Sequence, residues 1–272
     1  MSTRYIHGFS REEQQRLVDQ ARILAPAVFD GLVWPIRGEV LEIGCGVGAE
    51  LKLIAERRPE LALTGLDINP RHLRAATQHL EAEIRHGRVH LVQGDALELP
   101  FAAGRFDLVL SIWVLEHIGL SSRVLAEWFR VLKTEGWLIC TEVDNTSFRF
   151  DPPQPLIADW WERFNLCQRQ AGGDPEVGTR LAAMAEAMGC RSWSVEPVHA
   201  ISSRLRPARR GLELDYLERL LLSANESLCR SGLIEPSLAQ DLKEAFAEVR
   251  RHPGIEFEYR ALRLSCRPPP GF

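Results

Sequence analysis

The chain runs to 272 residues, 45% of them hydrophobic and 26% charged, which is enough to bury a sizeable core in one large domain or in a core domain with an insertion. A formal net charge of -4 speaks against a broad nucleic-acid footprint and against a polybasic membrane surface. No apolar run approaches the roughly 18 residues of a spanning helix, no signal-peptide core opens the chain, and the six cysteines lack any C-x-x-C pair, so the reading is a cytoplasmic protein with reduced thiols, no disulfide and no zinc.

Residues 5–32 precede the first strand signal. Ser10 with Glu13 makes a capping box, and Leu17, Ala21, Leu24 and Val28 recur at helical spacing, so a helix is expected there, kinked or restarted at Pro26. Upstream lie Tyr5, His7 and Phe9, aromatic and titratable groups on a segment expected to fold back as a cover over cofactor or substrate.

The stretch VLEIGCGVGAE follows. Val40, Leu41 and Ile43 suit a buried strand, which breaks into Gly44, Cys45, Gly46, Val47 and Gly48 before a helix over 49–58. Glycines let the backbone turn sharply and let a ligand come to contact distance, and the helix start offers unpaired N–H groups. Gly44, Gly46 and Ala49 also satisfy the loose G-x-G-x-x-G/A pattern of a dinucleotide site. Glu42 separates the two readings. A carboxylate at the end of a buried strand needs a donor or a cation, and it would repel a pyrophosphate. S-adenosylmethionine carries an ammonium and a sulfonium and no phosphate, so Glu42 favours that cofactor.

LALTGLDINP then gives a second strand ending in Asp67, with Asn69 as N-cap and Pro70 at the first helical position. Asp67 is the expected acceptor for a ribose diol, and Ile68 an apolar surface for adenine. His72, His79 and His86 recur every seven residues on what reads as the solvated face of the next helix. VHLVQGDALELPF adds a third strand, with Asp95 and Ala96 at its end suited to an adenine amine, or to an Asx-turn, or to both. FDLVLSIWVLEHI gives a fourth, running into Ser111, Ile112, Trp113, Glu116 and His117. WLICTEVD is the fifth. Strand and helix alternate throughout, which predicts a parallel, doubly wound sheet with its acids at the carboxyl ends, where such sheets bind ligands.

Residues 145–175 are dense in aromatics and prolines and are expected as a lid, with Phe148, Phe150, Trp160 and Phe164 as candidate substrate contacts. A helix near 179–188, a strand around 192–203 and two helices within 210–252 follow. The basic loop 204–210 reads as a solvated turn. IEFEYRALRLSC alternates as a last, antiparallel strand.

In series these motifs resemble the class I S-adenosylmethionine-dependent methyltransferases of small-molecule type, with the agreement running from about residue 38 to 144. In that family the E-x-G-x-G-x-G turn holds the methionine end of the cofactor, which here implies Glu42, Gly44, Cys45, Gly46 and Gly48. The acid ending the second strand binds the ribose (Asp67), the GDA segment meets adenine (Asp95, Ala96), and the segment after the fourth strand passes under the methionine (Ser111, Ile112, Trp113). The opening YIHGFS resembles a subgroup in which this segment covers the cofactor, implicating Tyr5 and Phe9. The turn before the fifth strand reads KTEG where many relatives have a Pro-Gly-Gly type turn. The resemblance implies a Rossmann-like seven-stranded sheet with its last strand antiparallel. The expected organisation is an N-terminal helical cover, 1–37, and a methyltransferase domain, 38–272, carrying the lid and the helical insertion.

The reaction expected is in-line methyl transfer to a small, partly apolar acceptor, releasing S-adenosylhomocysteine. His117 is the first candidate for a general base and His7 the second, because imidazole titrates near neutral pH. Trp113 is shared between cofactor and substrate. No metal, nucleic-acid or membrane partner is expected, and the oligomeric state is left open, a homodimer being one option. Two other readings stand beside this one, a nicotinamide-dependent oxidoreductase on the same fold and a cofactor-binding protein without catalysis.

Overall fold

A computed structural model describes residues 5–272. The first helix is α1 (Arg11–Phe29), capped by Ser10, whose side chain accepts from the Glu13 N–H. Pro26 lies inside this single helix, so it neither ends nor restarts it. The capping box is only half made. Glu13 turns inward to Arg16 and Tyr5, leaving the Ser10 backbone aside.

Strand and helix then alternate as expected: β1 (Gly38–Ile43), α2 (Ala49–Arg57), β2 (Leu61–Asp67), α3 (Pro70–His79), α4 (Glu81–Arg85), β3 (Val89–Gln93), β4 (Phe106–Ile112), α5 (Leu115–Ile118), α6 (Ser122–Val131) and β5 (Leu132–Asp151). The rest comprises α7 (Pro155–Gln170), α8 (Leu181–Ala187), β6 (Arg191–Ser202), α9 (Arg210–Ser223), α10 (Asn225–Arg230), α11 (Leu238–Arg251) and β7 (Glu256–Arg267). The seven strands form one sheet in the order β3-β2-β1-β4-β5-β7-β6. β7 runs antiparallel to both neighbours, and the others are parallel. The order steps outward in both directions from β1 and β4, so a switch point lies between them, where open α/β sheets leave a ligand crevice.

The core follows from composition. Val40, Leu41 and Ile43 of β1 and Leu108, Val109 and Leu110 of β4 are fully buried, as strands covered on both faces require. Trp128 and Phe129 of α6 and Trp160 of α7 are also fully buried and close the helical layers over the sheet.

Two expectations change here. β5 does not stop near residue 144. It continues through Asp151, with Arg149, Phe150 and Asp151 paired to Glu258, Phe257 and Glu256 of β7. The segment expected to begin a lid is therefore partly sheet, and α7 carries the remainder. The basic loop is not a solvated turn either. Arg206 pairs with Glu213 and donates to two carbonyls, while Arg209 and Arg210 donate to the carbonyls of Ile23, Ile255 and Val249, so these guanidinium groups fasten α9 to its neighbours.

Candidate active site

The glycine turn between β1 and α2 is fixed by backbone geometry. Gly44, Gly46 and Gly48 have φ of +70°, +51° and +73°, values that favour glycine. The Gly44 and Cys45 N–H groups both donate to Leu66 O, which locks the turn to the end of β2. A Cβ at Gly44 would lie 2.4 Å from Val114 Cγ2, and one at Gly48 would lie 2.5 Å from Leu80 Cδ1, whereas one at Gly46 would meet nothing within 4 Å. Gly46 therefore faces open space.

Around that space stand acids. Glu42 is 2% exposed and its Oε2 has no hydrogen-bond partner. Burial, then the neighbouring Glu50 and Asp67, holds its carboxyl well above the usual carboxylate range. Burial likewise pushes Glu50 up to about 7. Asp67 is organised differently. Its Oδ2 accepts from the Gly46 N–H at 2.9 Å and its Oδ1 from the Asn69 N–H at 2.7 Å, leaving the other lone pairs of both oxygens for further donors. Asn69 caps α3 with Pro70 at its first position, so Asp67 is not needed as the cap.

The remaining cofactor candidates lie along the same edge. Ile68 is 64% exposed beside Asp67. Asp95 makes an Asx-type turn, its Oδ1 accepting from the Leu97 N–H at 2.9 Å, and the Ala96 carbonyl is held by the Trp128 indole N–H. Ser111 and Thr141 are buried at the ends of their strand pairing with hydroxyls that have no partner. Ile112 ends β4, and Trp113 follows in the left-handed region at φ +55°, its N–H donating to Thr141 O. Strain at a bulky residue next to a ligand crevice is a mark of function. Cys45 is 2% exposed and faces the core.

Residues 5–9 pack against α1 and α3. Tyr5 donates to Glu13 Oε1 at 2.8 Å, and Glu13 is clamped by two bonds from Arg16. Arg16 also donates to Gln20 Oε1 at 2.7 Å. The Phe9 ring lies 5.5 Å from Tyr5 and 5.2 Å from His72. His72 is thus not solvated. It is 7% exposed, with Nδ1 3.8 Å from Asp67 Oδ1 and Nε2 unpartnered. The seven-residue spacing was a poor guide because the cover buries only the first of the three histidines.

His117 stands on α5, 5.3 Å from Tyr5 between ring centroids and 3.8 Å from Glu116 Oε1. Glu142, fully buried and pushed up to about 8 by burial, accepts from the N–H groups of Val114, Leu115 and Glu116, fixing the segment that carries His117. His7 packs 5.6 Å from Phe164 and contacts Ser223 Oγ through Nδ1 at 2.5 Å. The four aromatic lid candidates divide. Phe164 reaches the cover, and Phe148 and Phe150 belong to β5, where Phe148 stacks on Trp161 at 4.2 Å. Trp160 turns away, its indole N–H donating to Leu221 O. Trp161, part of the aromatic stretch but not among the substrate candidates, stacks on Phe164 at 5.2 Å, while Glu50, Glu142 and Gln168 gain their neighbours only through folding.

A cavity of about 520 Å³ between Trp34, Ile36, Arg37 and Arg58 lies at the opposite end of β1 and β2. Among the described residues no group of His, Cys, Asp and Glu is arranged to hold a metal ion.

Comparison with known proteins agrees with this geometry. A family model described as a methyltransferase domain matches residues 41–140. A demethylmenaquinone methyltransferase of Roseiflexus sp. (strain RS-1) is 31% identical over 175 residues, covering 59% of this chain and 69% of that protein. The chain belongs to the S-adenosylmethionine-dependent methyltransferases. Membership replaces the nicotinamide reading of the glycine turn. Ajmaline N-methyltransferase of Rauvolfia serpentina is 30% identical over 132 residues, covering 48% of this chain and 44% of that protein. The chain spans about half the length of several curated relatives it matches. Among solved structures, a phosphoethanolamine N-methyltransferase from Haemonchus contortus with bound S-adenosylhomocysteine superposes over 94% of this chain and 52% of its own, with TM-score 0.57 and 17% identity. The [4+2]-cyclase SpnF superposes over 94% of this chain and 82% of its own, with TM-score 0.54 and 19% identity. Likenesses at that identity speak for the fold alone.

The residues present fit the family's cofactor. An orphaned buried carboxylate oxygen, a glycine turn open on one side and an acid with free lone pairs match an ammonium, a backbone-hugging chain and a ribose diol.

Proposed function

We propose that this protein transfers a methyl group from S-adenosylmethionine to a small, partly apolar acceptor by in-line displacement. The observation that carries the reading is Glu42, a buried carboxylate with an unpartnered oxygen beside an open glycine turn, which a cationic ligand satisfies and a pyrophosphate does not. When bound, the cofactor supplies an electrophilic methyl group on a sulfonium. In this reading Glu42 and the turn Gly44–Gly48 receive the amino-acid end, Asp67 the ribose, and Ile68, Asp95 and Ala96 the adenine. Ser111, Ile112 and Trp113 support the methionine, and Tyr5 and Phe9 close over it.

The chain's part is alignment and exclusion of water. Orientation of this kind contributes up to about 7–11 kcal/mol in favourable models. The Tyr5, Phe9 and Trp113 faces add roughly 0.5–2 kcal/mol toward a cation. His117 and His7 are the groups placed to accept a proton from the acceptor. Residues 1–37 act as the cover and 38–272 as the catalytic domain, with Phe164 and Phe148 toward the acceptor side. Among the proteins named above, one is a demethylmenaquinone methyltransferase and one an ajmaline N-methyltransferase, which supports a small-molecule acceptor. A cytoplasmic setting suits six free cysteines and the absence, among the described residues, of any helix long and apolar enough to cross a membrane.

The test is a labelled-methyl assay across a metabolite panel, run beside calorimetry with S-adenosylhomocysteine. Transfer to a small molecule is expected. Tight binding of the nucleoside with no transfer to any acceptor would support a cofactor-binding protein without catalysis.

A further inference from the structure

Six side chains close a circuit beneath the cover. Tyr5 lies 5.1 Å from His7 and 5.3 Å from His117 between ring centroids, and His7 lies 5.6 Å from Phe164. Phe164 and Gln168 are one turn apart on α7 and share a face. Gln168 Nε2 donates to Glu116 Oε2, and Glu116 Oε1 lies 3.8 Å from His117 Nε2, which returns to Tyr5.

The protons of this circuit follow by elimination. Ser223 Oγ donates to Leu220 O at 2.7 Å, which commits its single proton. In the 2.5 Å contact between His7 Nδ1 and Ser223 Oγ the imidazole is therefore the donor. His7 carries its proton on Nδ1 and keeps a lone pair on Nε2. Burial, with Arg16 and His117 adding to it, holds this histidine well below its usual pKa, so the ring is neutral at neutral pH. A flipped Gln168 amide would set oxygen against the Glu116 carboxylate, so its Nε2 faces Glu116 and its Oε1 is the free end. Gln168 is 3% exposed and that Oε1 has no partner. The nearby Arg16 guanidinium is committed to Glu13 through two bonds.

The circuit thus offers acceptors: a carboxylate, an amide oxygen and an imidazole lone pair. A phenol brings one donor and a carbon acid none. An ammonium brings two or three, together with a positive charge to set against the Glu116 carboxylate. We propose that the methyl acceptor is a primary or secondary amine, bound as its ammonium by Glu116 and Gln168 and deprotonated by His7 Nε2, with Ser223 as the positioning residue that fixes the His7 tautomer. The proposal rests on the methyltransferase reading above. His7 Nε2 takes one N–H proton and leaves the nitrogen a free electron pair. That pair forms the new N–C bond as the methyl's bond to sulfur breaks, its electrons remaining on sulfur. The product leaves as an N-methylammonium, and His7 passes its proton to solvent.

Two measurements on the full chain loaded with S-adenosylhomocysteine test this. Long-range ¹H–¹⁵N spectra of ¹⁵N-histidine protein are expected to show His7 protonated on Nδ1. Ser223→Ala should mix the tautomers and Ser223→Thr should restore them. Labelled-methyl assays with tryptamine, 4-ethylphenol and acetylacetone should return transfer to the amine alone. Glu116→Gln should slow that transfer about 100-fold by removing the charge that holds the ammonium, and Ser223→Ala about 10-fold in kcat with little change in KM by releasing the base from its tautomer, while nucleoside affinity holds within about twofold in both. His7 protonated on Nε2 overturns the proposal whatever the assays return. So does a chain that binds the nucleoside and methylates the phenol or the diketone but no amine. A chain that fails to bind the nucleoside overturns the methyltransferase reading itself.

Discussion

Glu42 lies close enough to Glu50 and Asp67 for both to disfavour its ionisation. Burial holds Glu42 well above the carboxylate range and Glu50 at about 7, so the free site retains protons near neutral pH. An incoming ammonium and sulfonium favour the ionised acids and expel those protons. Cofactor affinity should therefore fall as pH drops from 8 through 7 to 6, the direction in which the acids become neutral, and calorimetry at the three pH values checks it. Glu42→Gln removes the charge while keeping the shape. Loss of a charged hydrogen bond costs about 1.5–3 kcal/mol, so the dissociation constant for S-adenosylhomocysteine should rise on the order of 10- to 100-fold at pH 8. Glu42 and Asp67 were legible from sequence because each sits at a strand end flanked by turn chemistry. His72 and Gln168 were not, since a contact from residues 5–9 or from α5 decides their burial, and no local pattern records it.

At the level of elements the turn is the most exacting part. A side chain at Gly44 meets Val114 Cγ2 at 2.4 Å and sits at φ +70°. Gly44→Ala should lower stability by about 1 kcal/mol or more through backbone strain and should push the segment bearing Trp113 and His117 away. Nucleoside binding should weaken, whereas Gly46→Ala, with no neighbour within 4 Å, should chiefly obstruct the ligand and leave the unfolding midpoint closer to wild type. Parallel strands and their helices read clearly from apolar runs and caps such as Asn69–Pro70. The continuation of β5 through Asp151 did not, because Arg149–Asp151, beyond an irregularity after Asp144, gains strand form from pairing with β7, more than a hundred residues away in sequence. Pro26 is likewise tolerated inside α1 by packing against the body, where local rules anticipate a break.

For the whole molecule, the raised acids set the direction in which stability varies with pH. Glu42, Glu50 and Glu142 bind protons more tightly folded than unfolded, with Glu50 at about 7 and Glu142 at about 8. The unfolded chain gives up those protons near the ordinary carboxylate value of 4.5, so the stability these groups contribute is full below about 4.5, declines as pH rises from there, and is lost once pH has passed about 8. The ligand-free protein should melt at a higher temperature at pH 6 than at pH 8.5. Saturating nucleoside should reduce that difference, because it compensates Glu42 and Glu50 but not Glu142. One sheet, with its acids gathered at one edge and its cover folded across them, makes binding and protonation a single linked equilibrium. The most direct test is therefore calorimetric titration of S-adenosylhomocysteine near pH 7 in two buffers of different ionisation enthalpy. The expected result is tight binding with net proton release that shrinks in Glu42→Gln. Binding without proton exchange, or tight binding of NADH in place of the nucleoside, would contradict the assignment.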